Sequence, residues 1–324
     1  MDSKKFSSAL KRFIENHHLN FHNIVPLKVD ASKRKYYRIQ KSGKSKILMD
    51  STLEKESMKK FIKMSDWLIS NKLSAPLIFE KNLNAGICMI EDFGENKFKK
   101  IMKKSSEKND VLYKKTIELL KELSKIPIAK FLPNYSYKIF KSELDIFLDW
   151  YFFFKGKRDL VFLKEWDFVW KKYYKVIKSS KFRTTVLRDF HIDNLFFLNN
   201  RIGIKKIGLI DFQDAVCGHS CYDLVSLLQD VRVIIPFKKQ QIFYNYYLSI
   251  NNIPEKKFQE PYYIFGTQRL LKIIGIFNRL KYRDHKRNYI KYIPRTLKLL
   301  ENNLNNPLME DAKSLLKNSF KYEC

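Results

Sequence analysis

The sequence predicts an α+β protein of two lobes, a small one built on an antiparallel sheet and a larger, mainly helical one. Three observations predict it. The β-prone stretches Val25 to Lys28, Tyr36 to Gln40 and Lys46 to Asp50 are followed by a helical period from Glu54 to Asn71 and by two more β-prone stretches, Pro76 to Glu80 and Ile87 to Glu91. Three strands, a helix and two strands make a small α+β lobe and not a parallel βαβ sheet. Beyond Asp92-Phe93-Gly94 helix-length apolar periodicity dominates, with one β-like interruption at Val186 to Leu198 and Lys206 to Ile210 that reads as a hairpin with polar residues at its ends. The expected boundaries are 1–92 for the first lobe, a hinge at about 91–95, and 96–324 for the second.

Each element has its own signal. Phe6, Leu10, Phe13 and Ile14 recur at helical spacing and predict an amphipathic first helix over residues 3–17. The polar run Asp30-Ala31-Ser32-Lys33-Arg34 and the turn Lys41-Ser42-Gly43-Lys44 separate the first three strands into a meander. In the second lobe, helices are expected near 110–125, 142–154, 160–178, 221–230, 238–250, 256–280 and 284–303.

Composition narrows the class. Hydrophobic residues make up 45% of the 324 residues, with only 9 Gly and 9 Pro, which excludes a disordered or low-complexity chain. The formal charge is +29, yet Lys and Arg are scattered through every segment without a long run, beside many Asn, Ile, Phe and Tyr. That distribution reads as a solvated basic surface and argues against a nucleic-acid face, although an anionic substrate would benefit from the field. Four cysteines form no disulfide framework, and Cys217 and Cys221 around His219 lack zinc-site spacing. The first twenty residues contain no continuous apolar stretch, and nowhere do ~18 apolar residues run together. A cytoplasmic protein without a membrane partner is expected.

The chemistry sits at the ends of the β-like interruption. Leu187-Arg188-Asp189-Phe190-His191-Ile192-Asp193-Asn194 is followed, after a strand and a turn, by Leu209-Ile210-Asp211-Phe212-Gln213-Asp214. Phosphoryl transfer from Mg-ATP needs a carboxylate to orient and deprotonate an acceptor hydroxyl, together with an amide oxygen and a second carboxylate to hold metal between the phosphates. One loop Asp, a nearby loop Asn and an Asp at the end of the next strand supply that set. Hard oxygen ligands suit Mg2+.

The segment resembles the catalytic loop of the aminoglycoside-phosphotransferase and choline-kinase-like branch of the protein-kinase-like fold. It is similar, more closely, to bacterial anomeric kinases of N-acetylmuramate and N-acetylglucosamine. Arg188-Asp189-Phe190-His191, Asp193-Asn194-Leu195, Asp211-Phe212-Gln213-Asp214-Ala215 and the run Tyr222 to Asp230 resemble the central blocks of that family. Tyr36-Tyr37-Arg38, Leu48-Met49-Asp50 and Glu91-Asp92-Phe93-Gly94 resemble its small lobe, and Gln268-Arg269, Lys272 and Gly275-Ile276-Phe277 its last helical motif. The resemblance implies a two-lobed protein-kinase-like fold, with Asp189 as catalytic base, Asn194 and Asp211 as magnesium ligands, and Glu91 to Phe93 as the hinge whose backbone meets adenine. It also implies that Asp223 accepts hydrogen bonds from the catalytic-loop backbone.

Two departures stand out. Leu187 occupies the position where kinases carry His, and Met49 the position where most place a phosphate-binding Lys. Developing charge on the phosphates still needs a cation, for which Arg34, Lys35 and Lys46 are the candidates. The first small-lobe loop contains no Gly, so Ser32 and the amides around it are either phosphate contacts or a plain hairpin turn. Glu54 and Glu56 read as first-turn carboxylates.

For the acceptor, Glu143 and Trp150 fall on one stripe of the helix Ser142 to Phe154 and offer an acid for hydroxyl groups and a ring for a sugar face. Arg188 and His191 flank Asp189; His191 either faces the acceptor or packs within the loop. Gln268 and Arg269 reach the acceptor or tie the last helices together. The expected function is ATP- and magnesium-dependent phosphorylation of the anomeric hydroxyl of an N-acetylated amino sugar, in cell-wall sugar recycling. Its alternatives are a kinase of an aminoglycoside, choline or another small alcohol, and a catalytically silent nucleotide-binding or protein-interaction module. No Ala-Pro-Glu segment follows Asp211, which argues against a protein kinase.

Overall fold

The computed structural model describes residues 6–27, 33–41, 44–102, 106–154, 156 and 158–317. In chain order the elements are α1 (Ser8–Asn16), β1 (Ile24–Pro26), β2 (Lys35–Lys41), β3 (Lys44–Asp50), α2 (Lys55–Ser70), β4 (Ile78–Asn82), β5 (Ile87–Glu91), α3 (Phe98–Met102) and α4 (Ser106–Lys125). There follow α5 (Tyr137–Phe147), α6 (Leu160–Ser179), β6 (Arg183–Val186), β7 (Leu195–Phe197), β8 (Ile207–Leu209) and β9 (Val216–His219). The chain continues through α7 (Cys221–Leu228), α8 (Phe237–Asn251), α9 (Glu255–Tyr282), α10 (Ile293–Leu304) and α11 (Glu310–Lys317). Packing divides these into two units, one combining the chain up to Thr116 with Asp193–Ala215, the other combining Ile117–Ile192 with Val216 onward.

The first unit holds a five-stranded antiparallel sheet; the meander β1-β2-β3 is as expected, and β5 and β4 follow it in the order β1-β2-β3-β5-β4. Side chains alternate between its faces. Tyr37, Ile39, Leu48, Ile87 and Met89 pack in one apolar cluster with Phe6, Leu10, Phe13 and Ile14 on or beside α1. Ser7 fixes the entry to that helix: its hydroxyl accepts from Leu10 N at 3.2 Å and donates to Asp50 at 2.9 Å. On the ladder, Met49 stands opposite Tyr36 and Cys88 and is fully buried.

The second unit is helical, around large buried aromatics such as Phe140, Phe147, Trp166, Trp170, Tyr222 and Phe265. Helix α5 runs into a π-helical turn, Leu148–Phe152, a rare geometry that often marks functional sites. Gly275 lets the 28-residue helix α9 approach α5 backbone to backbone: a Cβ there would collide with the Ile146 carbonyl. One turn earlier on α9 comes Lys272, another turn earlier Gln268.

The β-like interruption is not one hairpin. Val186 to Leu198 breaks into β6, which pairs with β9, and β7, which pairs with β8. The cause is local, since Arg188 takes a positive φ of 69° and ends the extended run. The short elements β9, α3 and α11 had no signal long enough to read. Among the described residues no helix is long and apolar enough to cross a membrane.

Candidate active site

Strand β6 delivers the loop that carries Asp189. Asp189 N donates to Leu187 O at 2.9 Å, so Arg188 is the central residue of a three-residue turn, in the positive-φ form that is rare and strained for a side-chain-bearing residue. The strain is held from several directions. The Asp223 carboxylate accepts from Leu187 N at 2.7 Å and Arg188 N at 2.9 Å, the arrangement implied for it, and the Ser226 hydroxyl donates to Arg188 O at 3.2 Å. Asp230 accepts from Ile192 N at 3.1 Å. Burial pushes the Asp223 carboxyl up to about 7 despite these amides and the nearby Arg269.

Beneath the loop lies Glu143. Its carboxylate accepts from Tyr135 (2.5 Å), Gln268 (2.8 Å), Lys272 (2.6 Å), Tyr222 (3.3 Å) and the Arg188 guanidinium. Its side chain is 3% exposed, while those of Arg188 and Lys272 are 19% and 15% exposed. Burial alone would raise the Glu143 pKa, but Lys272 and Arg188 overrule it and hold the group well below the usual carboxylate range. Trp150 lies in the π-helical turn, half-buried, its ring stacked on Phe154, which in turn stacks on Tyr282. His191 is buried.

In the first unit, Asp211 also adopts a positive φ, 61°. Its Oδ1 accepts from Arg34 at 2.8 Å and from Gln213 at 2.9 Å, and Asn194 Nδ2 lies 3.4 Å from Oδ2. Next to it, Phe212 stacks on Phe61 of α2 with ring centroids 5.0 Å apart. The Asp211 side chain is 39% exposed and faces the Asn194 amide through Nδ2; with that amide turned over, one carboxylate and one amide oxygen would fit magnesium.

Of the three candidate cations, Lys35 is exposed and Lys46 lies over the Phe79 ring at 4.3 Å. Arg34 is different. It is 4% exposed, bonds Asp211 and Gln213, comes within 3.9 Å of Glu54 and lies 5.9 Å from the ring of Tyr36. Tyr36 is the register partner of Met49, so this guanidinium, from the residue before β2, lies beside the ring that stands opposite Met49. Burial would lower the Arg34 pKa, but Tyr36, Asp211 and Glu54 outweigh it and raise the pKa. Ser32 lies outside the described residues.

The expected hinge is also tied down. Glu91 accepts from Arg201 and from Leu77 N, and Arg201 lies 5.3 Å over Phe93. Phe93 packs edge-on against Phe196 and so tightly over Gly208 that a Cβ there would sit 2.9 Å from its ring. Arg38 clamps Asp92 in bidentate fashion and also holds Glu95. Arg201 and Arg38 carry no sequence signal that separates them from the other scattered basic residues.

The phosphotransferase enzyme family model matches residues 23–250. The chain belongs to that family. An N-acetylmuramate/N-acetylglucosamine kinase of Caulobacter vibrioides is 27% identical, with 88% of each chain covered. One of Neisseria meningitidis serogroup B is 30% identical over 84% of this chain and 82% of its own. Among solved structures, choline kinase LicA from Streptococcus pneumoniae superposes with a TM-score of 0.62 at 12% identity, covering 90% of this chain and 98% of its own. The GDP complex of aminoglycoside 2'-phosphotransferase-IIIa superposes with a TM-score of 0.59 at 17% identity, covering 95% of this chain and all of its own. The expected fold class holds, and the protein is a phosphotransferase.

Proposed function

We propose that the protein is an ATP-dependent kinase of the anomeric hydroxyl of an N-acetylated amino sugar, N-acetylmuramate or N-acetylglucosamine. The observation that carries this reading is the agreement between the intact Asp189, Asn194 and Asp211 set and relatives over most of the chain that share one kinase name. Asp189 takes the acceptor proton as the hydroxyl oxygen bonds to the γ-phosphorus, the bond from that phosphorus to the bridging β-oxygen breaks, and ADP leaves with the electron pair. Asp211 and Asn194 would hold magnesium, which neutralises phosphate charge when bound. Arg34 supplies the fixed cation in place of a lysine at Met49, Ser32 adds backbone or hydroxyl contacts from the first loop, and Lys46 remains at the rim of the same sheet. The hinge Glu91 to Phe93 meets the adenine. The lobe 1–92 binds the nucleotide, and 96–324 carries the catalytic loop, the metal ligands and the acceptor site.

On the acceptor side, Arg188 and His191 flank the base and Trp150 offers a ring. Glu143, with its carboxylate filled by five donors, acts through Arg188 and Lys272. The basic chain disfavours a cationic acceptor such as choline or an aminoglycoside. The test is magnesium-dependent ATP consumption with N-acetylmuramate, N-acetylglucosamine, choline and kanamycin, followed by product analysis. Phosphate on C1 of either sugar is expected. Phosphate on C6, or turnover of choline or kanamycin alone, would replace the acceptor and leave the mechanism.

A further inference from the structure

Glu143, Arg188 and Lys272 form a cluster with one negative and two positive charges, and the negative one is at the bottom. Two cations share one buried carboxylate, and both lie on its more exposed side. Arg188 and Asp189 of the catalytic loop and the neutral Tyr222 phenol of α7 also face Lys272, and Arg269 lies over the Tyr222 ring. Asp189 therefore lies close enough to Lys272 for their charges to interact.

Lys272 has donors to spare. An ammonium carries three N–H groups, and the hydrogen bond to Glu143 at 2.6 Å uses one. Among the described residues the other two have no partner. One turn back on the same helix, Gln268 is fully buried; its Nε2 is committed to Glu143, and its Oε1 has no partner among the described residues. The Lys272 side chain is 15% exposed, so its open N–H groups can be reached by a ligand, while Gln268 beside it is spent on orienting the same carboxylate. Glu143 fixes their positions, and Gly275 brings the helix that carries them against α5. Burial would lower the Lys272 pKa, but Glu143 and Tyr222 overrule it and the ammonium stays charged.

We propose that Lys272 is a specificity-determining residue that binds the carboxylate of an anionic acceptor, with Glu143 as the positioning residue that holds it and Arg188 beside Asp189. The inference rests on the amino-sugar reading above and deepens it, because N-acetylmuramate carries a lactyl carboxylate that N-acetylglucosamine lacks. An ammonium with two open N–H groups discriminates between those two sugars. A neutral hydroxyl gains much less from it.

The experiment measures kcat and KM for both sugars and for ATP, with calorimetric titration of each sugar, on wild type, Lys272→Met, Lys272→Gln and Lys272→Arg. A lost charge-assisted hydrogen bond is worth about 10- to 100-fold. Lys272→Met should raise the KM and Kd for N-acetylmuramate by that factor relative to the change it causes for N-acetylglucosamine and ATP. Lys272→Arg should restore part of the preference. If Lys272→Met fails to fold, Lys272→Gln carries the same expectation. Equal losses on both sugars, or a fall in kcat with unchanged KM, would overturn the proposal and assign Lys272 to the loop scaffold or the transferred phosphate. Should wild type phosphorylate neither sugar, a Lys272-dependent binding preference for N-acetylmuramate would still uphold Lys272 and remove only the acceptor reading. No such preference would remove both.

Discussion

Two charge clusters in the molecule are built in opposite senses. Around Arg34 the cation is buried, with a side chain 5% exposed, and the carboxylate of Asp211 faces out at 39%. Around Glu143 the carboxylate is buried at 3% and the cations Arg188 and Lys272 face out at 19% and 15%. The first presents a carboxylate whose Oδ1 is held in place by Arg34, with Oδ2 left as the oxygen for a metal. The second presents positive donors, suited to an oxygen-rich or anionic organic group. Burying the partner and exposing the working group serves both, because the hidden charge fixes geometry while the exposed one retains capacity for a ligand.

The sharpest way to break this comparison is to remove the working carboxylate of each unit. Asp189→Asn should lose at least ~10²-fold in kcat with nucleotide Kd unchanged, since the base acts on the acceptor. Asp211→Ala should weaken the magnesium and nucleotide dependence as well as kcat, because the proposed role of Asp211 is to bring formal charge to a metal. If both variants show the same pattern, in titrations of Mg-ATP and in turnover, the division of labour is wrong.

Stability separates the clusters next. Glu143→Leu leaves Arg188 and Lys272 without their shared counter-charge and three further donors unmet, and removal of one member of such a buried pair costs about 3–5 kcal/mol. Arg34→Met leaves behind Asp211, which water can reach, so its cost should be nearer ~1 kcal/mol. Its functional signature is a raised KM for ATP that Lys35→Met and Lys46→Met do not reproduce. Urea unfolding midpoints and the ATP titration decide both points.

Much of this was legible in the sequence. The meander was readable because strands exposed on one face alternate, and Asp189, Asn194 and Asp211 could be proposed because chemistry restricts residue types at fixed separations. The pairings were not. Arg34 and Asp211 are 177 residues apart, and nothing local distinguishes Arg34 from Lys35 or Lys46 until the sheet face and the ladder register are known. Lys272 stood in a recognisable motif, yet its role depends on the approach of α9 to α5 that Gly275 permits. The split of the expected hairpin traces to positive φ at Arg188 and Asp211, residue types that give no warning of it as glycine would.

A third buried ionisable group shows what happens where no counter-charge is provided. His219, 3% exposed, packs among Phe182, Phe258 and Phe265, and its Nδ1 accepts from Cys221 N at 3.1 Å at the start of α7. Burial lowers its pKa from the ordinary 6.5 to about 3, so the folded protein keeps it neutral. The unfolded chain then binds more protons than the native one between those values, and stability must fall as pH drops from about 6.5 toward 3. At pH 5 the unfolded imidazole is already ~1.5 pH units below its pKa, which makes the expected loss about 2 kcal/mol relative to pH 8 at ~1.36 kcal/mol per unit. His219→Asn keeps an acceptor for Cys221 N and does not titrate. Thermal melts of the two proteins at pH 8 and pH 5 should therefore diverge, with wild type losing a few degrees more than the variant. Parallel losses would mean that His219 takes up its proton inside the fold without penalty, and that burial there is less complete than the packing of its three phenylalanines implies.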